Sequence, residues 1–236
     1  MPTLDGLFLY ELVMLVLGAL LFLSLLLMLI LGKSPSKAIL YYGIAVVMMG
    51  FPGIKSIQIT EGMITINRDE ETLQKDPTDK TARSDLQANV LRYQGRSFKD
   101  PNHLITVARG QIAMGDNTAA EANVTKALQL SPKFASAETL KARLDLDRQL
   151  SALTAQVEQN PGDGNAKSEL QKTVIAASSQ PIASPATIAN VARAQLAIGD
   201  TAQAKTNVDK ALLIDSNLAT AKALQSRIAT IQRQTK

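Results

Sequence analysis

Cysteine and tryptophan are absent from this chain of 236 residues, and histidine occurs once. Without cysteine there can be no disulfide, iron–sulfur cluster, thiolate zinc site or cysteine nucleophile. The single histidine, His103, has no second histidine or cysteine with which to complete a metal site, so we expect it at a helix start or on the surface. Aromatic residues make up only 4% of the chain, and alanine, leucine and isoleucine must therefore supply most of the core.

A strong charge of either sign is also missing. The formal net charge is +4, and the basic residues are scattered among acidic ones, which excludes the electrostatic pattern of a nucleic-acid-binding protein. The turn "NPGDGN" at 160–165 lacks the lysine and hydroxyl of a phosphate-binding loop, and the acidic stretch at 67–76 lacks the glycine turn of a calcium loop. No serine-based catalytic group can be assembled either. We therefore predict a protein that is not an enzyme and that holds no cofactor or metal.

Long apolar runs are present near the N-terminus. Residues 11–31 are almost all apolar, and about 20 such residues suffice for a helix to cross a bilayer. A second, shorter run covers 38–54, with tyrosines suited to a membrane interface near its start and Pro52 marking its exit. A cleaved signal peptide would instead begin with basic residues and have a shorter apolar core. The sequence thus predicts a membrane anchor over 1–56, formed by two transmembrane helices in a hairpin.

The basic residues around these runs indicate an orientation. Lys33 and Lys37 lie in the short loop between the runs, and no basic residue precedes the first run, although Lys55 nearly balances this difference. The pattern favours a cytoplasmic loop. In a bacterium it places the protein in the inner membrane with the C-terminal domain in the periplasm. Glu11 lies at the end of the first run beside Tyr10, and we expect it to reach lipid headgroups and water rather than to form a proton or ion site.

The part of the chain after the anchor contains a tandem duplication. The composition becomes rich in alanine and polar residues, and we interpret 57–76 as a connector whose conformation the sequence leaves open. Farther on, "VARGQIAMGD" at 107–116 returns as "VARAQLAIGD" at 191–200, and a shift of about 84 residues extends the match without a gap. Roughly 17 of about 41 positions are identical over the best stretch, more than chance supplies. The predicted helical units are 77–150 and 151–236.

Each unit contains the pattern of two helices joined by a tight turn. Gly115 and Gly199 can adopt the left-handed conformation that ends a helix, and the aspartate after each of them can cap the next helix. Apolar residues at spacings of three and four give each helix one buried stripe. Since a single pair cannot bury its own stripe, neighbouring pairs must stack. Small residues recur where two helices must approach closely: Ala108, Gly115, Ala120 and Ala127 in the first unit, and Ala192, Gly199, Ala204 and Ala211 in the second.

This arrangement of small residues resembles the tetratricopeptide repeat, a helix–turn–helix unit of 34 residues, over about 101–134 and again over 185–218. Gln111 and Gln195 depart from the family pattern, because they stand where an aromatic residue is usual. The resemblance implies an all-α fold in which a transmembrane helical hairpin is followed by an α-solenoid built from the tandem duplication.

The same resemblance implies a partner-binding groove lined by the first helix of each repeat. Arginine occurs at equivalent places in both units, and a planar guanidinium group suits a carboxylate, such as that of an acidic segment. The groove residues implied in this way are Asn102, Ile105, Arg109 and Ile112 in the first unit and Ala189, Arg193 and Leu196 in the second.

A membrane anchor followed by a stacked helical array indicates a binding protein. We expect a scaffold or accessory subunit that mediates protein–protein interaction in a membrane complex, or the assembly of that complex. Its contacts would be protein partners and the lipid bilayer, without nucleic acid. The alternative is a small transport or signal-transducing membrane protein whose repeat domain senses a ligand, in which Glu11 and Pro52 would matter.

Overall fold

The computed structural model describes residues 7, 9–31, 38–181 and 184–234. Within them the chain is all-α, as the sequence predicts, and no strand is present. The helices of this described part are α1 (Leu9–Ile30), α2 (Ala38–Lys75), α3 (Lys80–Tyr93), α4 (Pro101–Met114), α5 (Asn117–Leu130), α6 (Ala135–Gln159), α7 (Gly164–Ser178), α8 (Pro185–Ile198), α9 (Thr201–Ile214) and α10 (Ala219–Gln234).

By length and composition, α1 and α2 could each cross a membrane. Over a stretch of 18 residues, the mean hydropathy is 3.0 in α1 and 1.3 in α2. The two helices run antiparallel: the rings of Phe22 and Tyr42 meet edge to face with centroids 5.9 Å apart, and a Cβ on Gly18 would lie 2.8 Å from the Cβ of Met48. Many leucines of α1 are more than half exposed, so this hairpin presents an apolar surface that a bilayer would cover.

The start of α1 packs against the rest of the chain. Glu11 is fully buried, and its Oε2 lies 3.5 Å from Nη1 of Arg96, whose side chain is 10% exposed. The expected exposure of Glu11 to headgroups and water therefore does not occur. Arg96, in the link between α3 and α4, covers the carboxylate and neutralises it, which a buried charge requires.

A single helix, α2, runs for 38 residues from the hairpin into the array. The exit expected at Pro52 does not end it, because proline removes one backbone hydrogen bond and the helix continues on both sides. The expected connector at 57–76 is helical as far as Lys75. Its apolar residues have helical spacing, which the charged residues between them hide in the sequence. The buried side chains of this segment include Ile59, Met63, Ile66 and Leu73.

From α2 onward, the helices alternate between two layers. The first layer contains the second half of α2 with α4, α6, α8 and α10, and each of these helices packs against the next. The second layer contains α3, α5, α7 and α9, each packed between two consecutive helices of the first layer. The predicted stacking of helix pairs is confirmed, and the array begins inside α2 rather than at residue 77.

The duplication is visible in the structure as helices of similar length at equivalent positions in the two units. The helices α3, α4 and α5 recur as α7, α8 and α9, and their starts are about 84 residues apart. Gly115 and Gly199 end α4 and α8 with φ angles of 88° and 93°. Asp116 and Asp200 then cap α5 and α9, because each side chain accepts a backbone N–H of the first turn. The predicted stop-and-start turns are confirmed.

A buried polar pair joins the two helices on either side of each of these turns. Nδ2 of Asn123 donates to Oε1 of Gln111 at 2.8 Å, and Asn207 makes the same bond to Gln195 at 2.8 Å. The two glutamines are only 4% and 6% exposed. Their hydrogen bonds explain how an amide is accommodated in the core at this position.

We predict that Gly62→Ala destabilises the protein, although alanine is the better helix former by about 1 kcal/mol. A Cβ on Gly62 would lie 2.7 Å from Cζ of Tyr93, whose hydroxyl donates to the backbone carbonyl of Gln58 at 3.0 Å. Because overpacking of this kind costs about 1–3 kcal/mol, thermal unfolding of the solubilised full chain should occur several degrees lower.

Gly164→Ala is the control, since this glycine in the first turn of α7 has open space around it. We expect its unfolding temperature to be unchanged or slightly raised. Equal unfolding temperatures for Gly62→Ala and Gly164→Ala would mean that α2 does not pack on α3 at Gly62.

Candidate binding site

The predicted groove residues fall into accessible and buried groups. Asn102 and Arg193 are exposed, and Arg109 is half-buried. The larger apolar residues of the predicted groove lie in the core, where each first-layer helix is enclosed by its neighbours, and they are not available to a partner. These are Ile105, Ile112 and Leu196, which are 3%, 1% and 7% exposed; Ala189 is 1% exposed.

An ion-paired group, here named the closed cluster, occupies the first layer of the second unit. It consists of Glu158 in the last turn of α6, Arg193 on α8 and Arg227 on α10. Nε of Arg193 donates to Oε2 of Glu158 at 3.1 Å, and Nη1 of Arg227 donates to Oε1 at 3.1 Å. One carboxylate therefore neutralises two guanidinium groups from two other helices.

The electrostatics of the closed cluster favour the ionised form of Glu158, whose side chain is 18% exposed. The hydrogen bond from Arg193 is the main cause that lowers the pKa of this carboxyl, and the bond from Arg227 acts in the same direction. Partial burial opposes both effects. Glu158 is thus held as a carboxylate at neutral pH.

The equivalent group in the first unit, here named the open cluster, lacks that carboxylate. Arg109 and Arg143 stand at the places of Arg193 and Arg227, but Gln74 stands at the place of Glu158. The Gln74 amide donates to Oε1 of Glu70 at 2.5 Å instead.

Neither arginine of the open cluster forms an ion pair within the described residues. Nη2 of Arg143 donates to the backbone carbonyl of Pro181 at 3.0 Å. Arg143 also lies near Asp147, and its charge partly offsets the burial that raises the pKa of Asp147. Among the residues that the structure describes, therefore, no carboxylate pairs with Arg109, and none lies at ion-pair distance from Arg143.

A cavity of about 920 Å³ lies beside the open cluster, between α2, α4 and α6. Arg109 and Arg143 line it, and Glu70 and Glu71 lie on its α2 side. Glu71 is engaged by Lys75, which donates to it at 2.8 Å and thereby lowers its pKa. The corresponding recess at the closed cluster, between α8 and α10, is only about 280 Å³. The open cluster thus combines two guanidinium groups that form no ion pair within the described residues with room for a ligand.

The repeat pattern in the sequence points to Arg109 and Arg193 but not to the residues that complete the two clusters. A usable signal was present, because the shift of about 84 residues that aligns the two arginines also aligns Arg143 with Arg227 and Gln74 with Glu158. The last alignment shows a change of charge between the units. His103, by contrast, lies where expected, in the first turn of α4 against the ring of Phe98.

No protein-family model, curated protein or solved structure matches the chain. Function must therefore be inferred from the geometry of the described residues.

We predict that Glu158→Gln, which reproduces the residue of the first unit, lowers the free energy of unfolding by on the order of 1 kcal/mol at pH 7. Because the folded state lowers the pKa of Glu158, the stabilisation is present above the unfolded pKa of about 4.3 and is lost as the pH falls through the folded value. The difference between wild type and variant should therefore be constant from pH 8 to about pH 5 and shrink toward pH 3, measured by denaturant unfolding.

The control is Glu169→Gln, which removes an exposed carboxylate from the middle of α7 that forms no ion pair within the described part of the chain. It should change stability little at any of these pH values. A difference for Glu158→Gln that did not diminish in acid would show that the ion pairs are not its cause.

Proposed function

We propose that this protein is a membrane-anchored scaffold or accessory subunit of a membrane protein complex. In this proposal the α1–α2 hairpin lies in the bilayer, and a tetratricopeptide-like array presents its first layer to a protein partner. The repeat assignment is supported by the helix pairs themselves: α4 and α6 start 34 residues apart, as do α8 and α10. Stacked helical repeats of this kind offer a continuous surface for a peptide or helix of another protein.

The observation that carries the proposal is the contrast between the two clusters. Glu158 shows that this backbone frame positions two guanidinium groups so that one carboxylate can bind both. The same two arginines occur in the first unit beside a larger cavity and without the carboxylate. We infer that an acidic side chain of a partner takes the place that Glu158 holds in the second unit.

The alternative of a small transporter or signal transducer has less support. It depends on Glu11 as a functional carboxylate near the membrane, but Glu11 is buried against Arg96. A buried carboxylate paired with arginine has a sufficient structural role in tying α1 to the α3–α4 link. The scaffold proposal uses two arginines, Arg109 and Arg143, that form no ion pair within the part of the chain that the structure describes.

The anchor is tested by washing native membranes at alkaline pH. We expect the full chain to stay in the membrane pellet, because peripheral proteins are released and helices with apolar surfaces such as those of α1 and α2 are not.

The orientation needs a second experiment. In a bacterium, protease added to cells with a permeabilised outer membrane should cleave the C-terminal domain if it is periplasmic. Release by the wash would contradict the anchor, and protection would contradict the orientation.

We predict that Gln74→Glu abolishes retention of the partner. The new carboxylate would neutralise Arg109 and Arg143 internally, as Glu158 does for the second unit, without removing either arginine. Arg109→Ala combined with Arg143→Ala should have the same effect. The measurement is the stoichiometry of proteins that co-purify with the full chain after gentle solubilisation.

Lys172→Ala combined with Lys210→Ala is the matched control, because it removes two exposed positive charges from second-layer helices. It should retain the partner at the wild-type ratio. Retention by Gln74→Glu and by the arginine variant at that same ratio would exclude the open cluster as the contact.

A further inference from the structure

We propose that a cavity between α2 and α3, close to the hairpin, binds the phosphate group of an anionic phospholipid. The inference rests on the membrane anchor of the proposed function and is independent of the partner site. The cavity has a volume of about 520 Å³ and is lined by polar and charged side chains. Lys55, Gln58 and Glu61 contribute from α2, and Asn89, Arg92 and Tyr93 contribute from α3.

The balance of charge in this cavity is positive. Lys55 and Arg92 form no ion pair with any residue of the described ranges. Arg96 also lines the cavity, but Glu11 neutralises it at 3.5 Å. With that pair set aside, two cations face one carboxylate, Glu61, and the excess of one positive charge matches the single negative charge of a phosphodiester.

The frame that holds these groups is rigid. The Tyr93 hydroxyl donates to the Gln58 carbonyl at 3.0 Å, and this is possible because Gly62 has no side chain to block the ring. The bond holds the end of α3 against α2. Lys55 and Arg92 are therefore presented from two helices that are fixed relative to each other.

The position of the cavity favours a lipid over a free phosphate ion. Lys55 directly follows the apolar run of α2, and its Nζ lies 5.5 Å from the centre of the Phe51 ring. Ile44, Val47 and Phe51, at helical spacing on the face of α2 that leads to Lys55, are 42%, 66% and 39% exposed. A phospholipid would bring its phosphate to the basic groups and its acyl chains to this apolar surface, whereas free phosphate would leave the apolar surface exposed.

The test is titration of the delipidated full chain in an uncharged detergent, with bound lipids counted by native mass spectrometry. We expect phosphatidylglycerol to bind in a ratio of one to one and phosphatidylcholine to bind at least tenfold more weakly. Lys55→Gln combined with Arg92→Gln should weaken phosphatidylglycerol binding by roughly tenfold or more, since each basic group near an anionic headgroup contributes about 1 kcal/mol.

Two further variants test whether lipid binding depends on this site rather than on the overall positive charge or on the folding of the chain. Lys80→Gln combined with Arg233→Gln removes one lysine and one arginine that are exposed at the start of α3 and in the last turn of α10, and it should bind as wild type. Lys55→Arg combined with Arg92→Lys keeps both charges and should retain binding.

The proposal is overturned if the glutamine variant at Lys55 and Arg92 binds phosphatidylglycerol as tightly as wild type. It is also overturned if inorganic phosphate binds as tightly as phosphatidylglycerol, because the site would then accept free phosphate rather than lipid. Failure of the membrane anchor would be recognised separately, by release of the chain in the alkaline wash, and failure of the partner site would leave lipid binding unchanged.

Discussion

The continuity of α2 is the constraint on which the arrangement of the whole molecule depends. Its first half belongs to the apolar hairpin, with Val46 and Val47 exposed, and its second half buries Ile66 and Leu73 in the array. An α-helix advances 1.5 Å and turns about 100° per residue, so the two halves have a fixed relative direction. The buried pair of Glu11 and Arg96 fastens α1 to the same frame. The array is therefore oriented by the hairpin directly, without a flexible linker.

On this frame, the duplication supplies the same pair of arginines twice, and the residue beside them is glutamine in the first unit and glutamate in the second. Glutamate and glutamine have nearly the same size and shape, so the exchange between Glu158 and Gln74 leaves the helix packing intact and changes only the charge. In the second unit the ion pairs join α6, α8 and α10, which makes the cluster part of the structure. In the first unit the guanidinium groups form no ion pair within the described residues, and in the proposed function a carboxylate of a partner takes that place.

Local patterns explain which parts of the fold could be predicted from the sequence. The turns at Gly115 and Gly199 and the buried stripes depend on residues within a few positions of one another, and the structure confirms them. The second half of α2 escaped prediction because charged residues interrupt its stripe. The predicted groove included Ile105 and Ile112 because the resemblance assigns positions by helix and not by burial. The pairing of Glu158 joins residues 35 and 69 positions apart, which no local pattern can show.

The length of α2 also sets the distance between the proposed lipid site at Lys55 and Arg92 and the open cluster. Gln74 follows Lys55 by about five helical turns, which is roughly 28 Å along the axis, nearly the thickness of the apolar part of a bilayer. A lipid headgroup that contacts Lys55 and Arg92 therefore cannot reach Arg109 and Arg143. If the open cluster binds a ligand as we propose, that ligand would have to extend well beyond the bilayer surface, as a protein segment can and a phospholipid cannot. The proposed lipid site and the proposed partner site would thus differ in their distance from the bilayer as well as in the residues that line them.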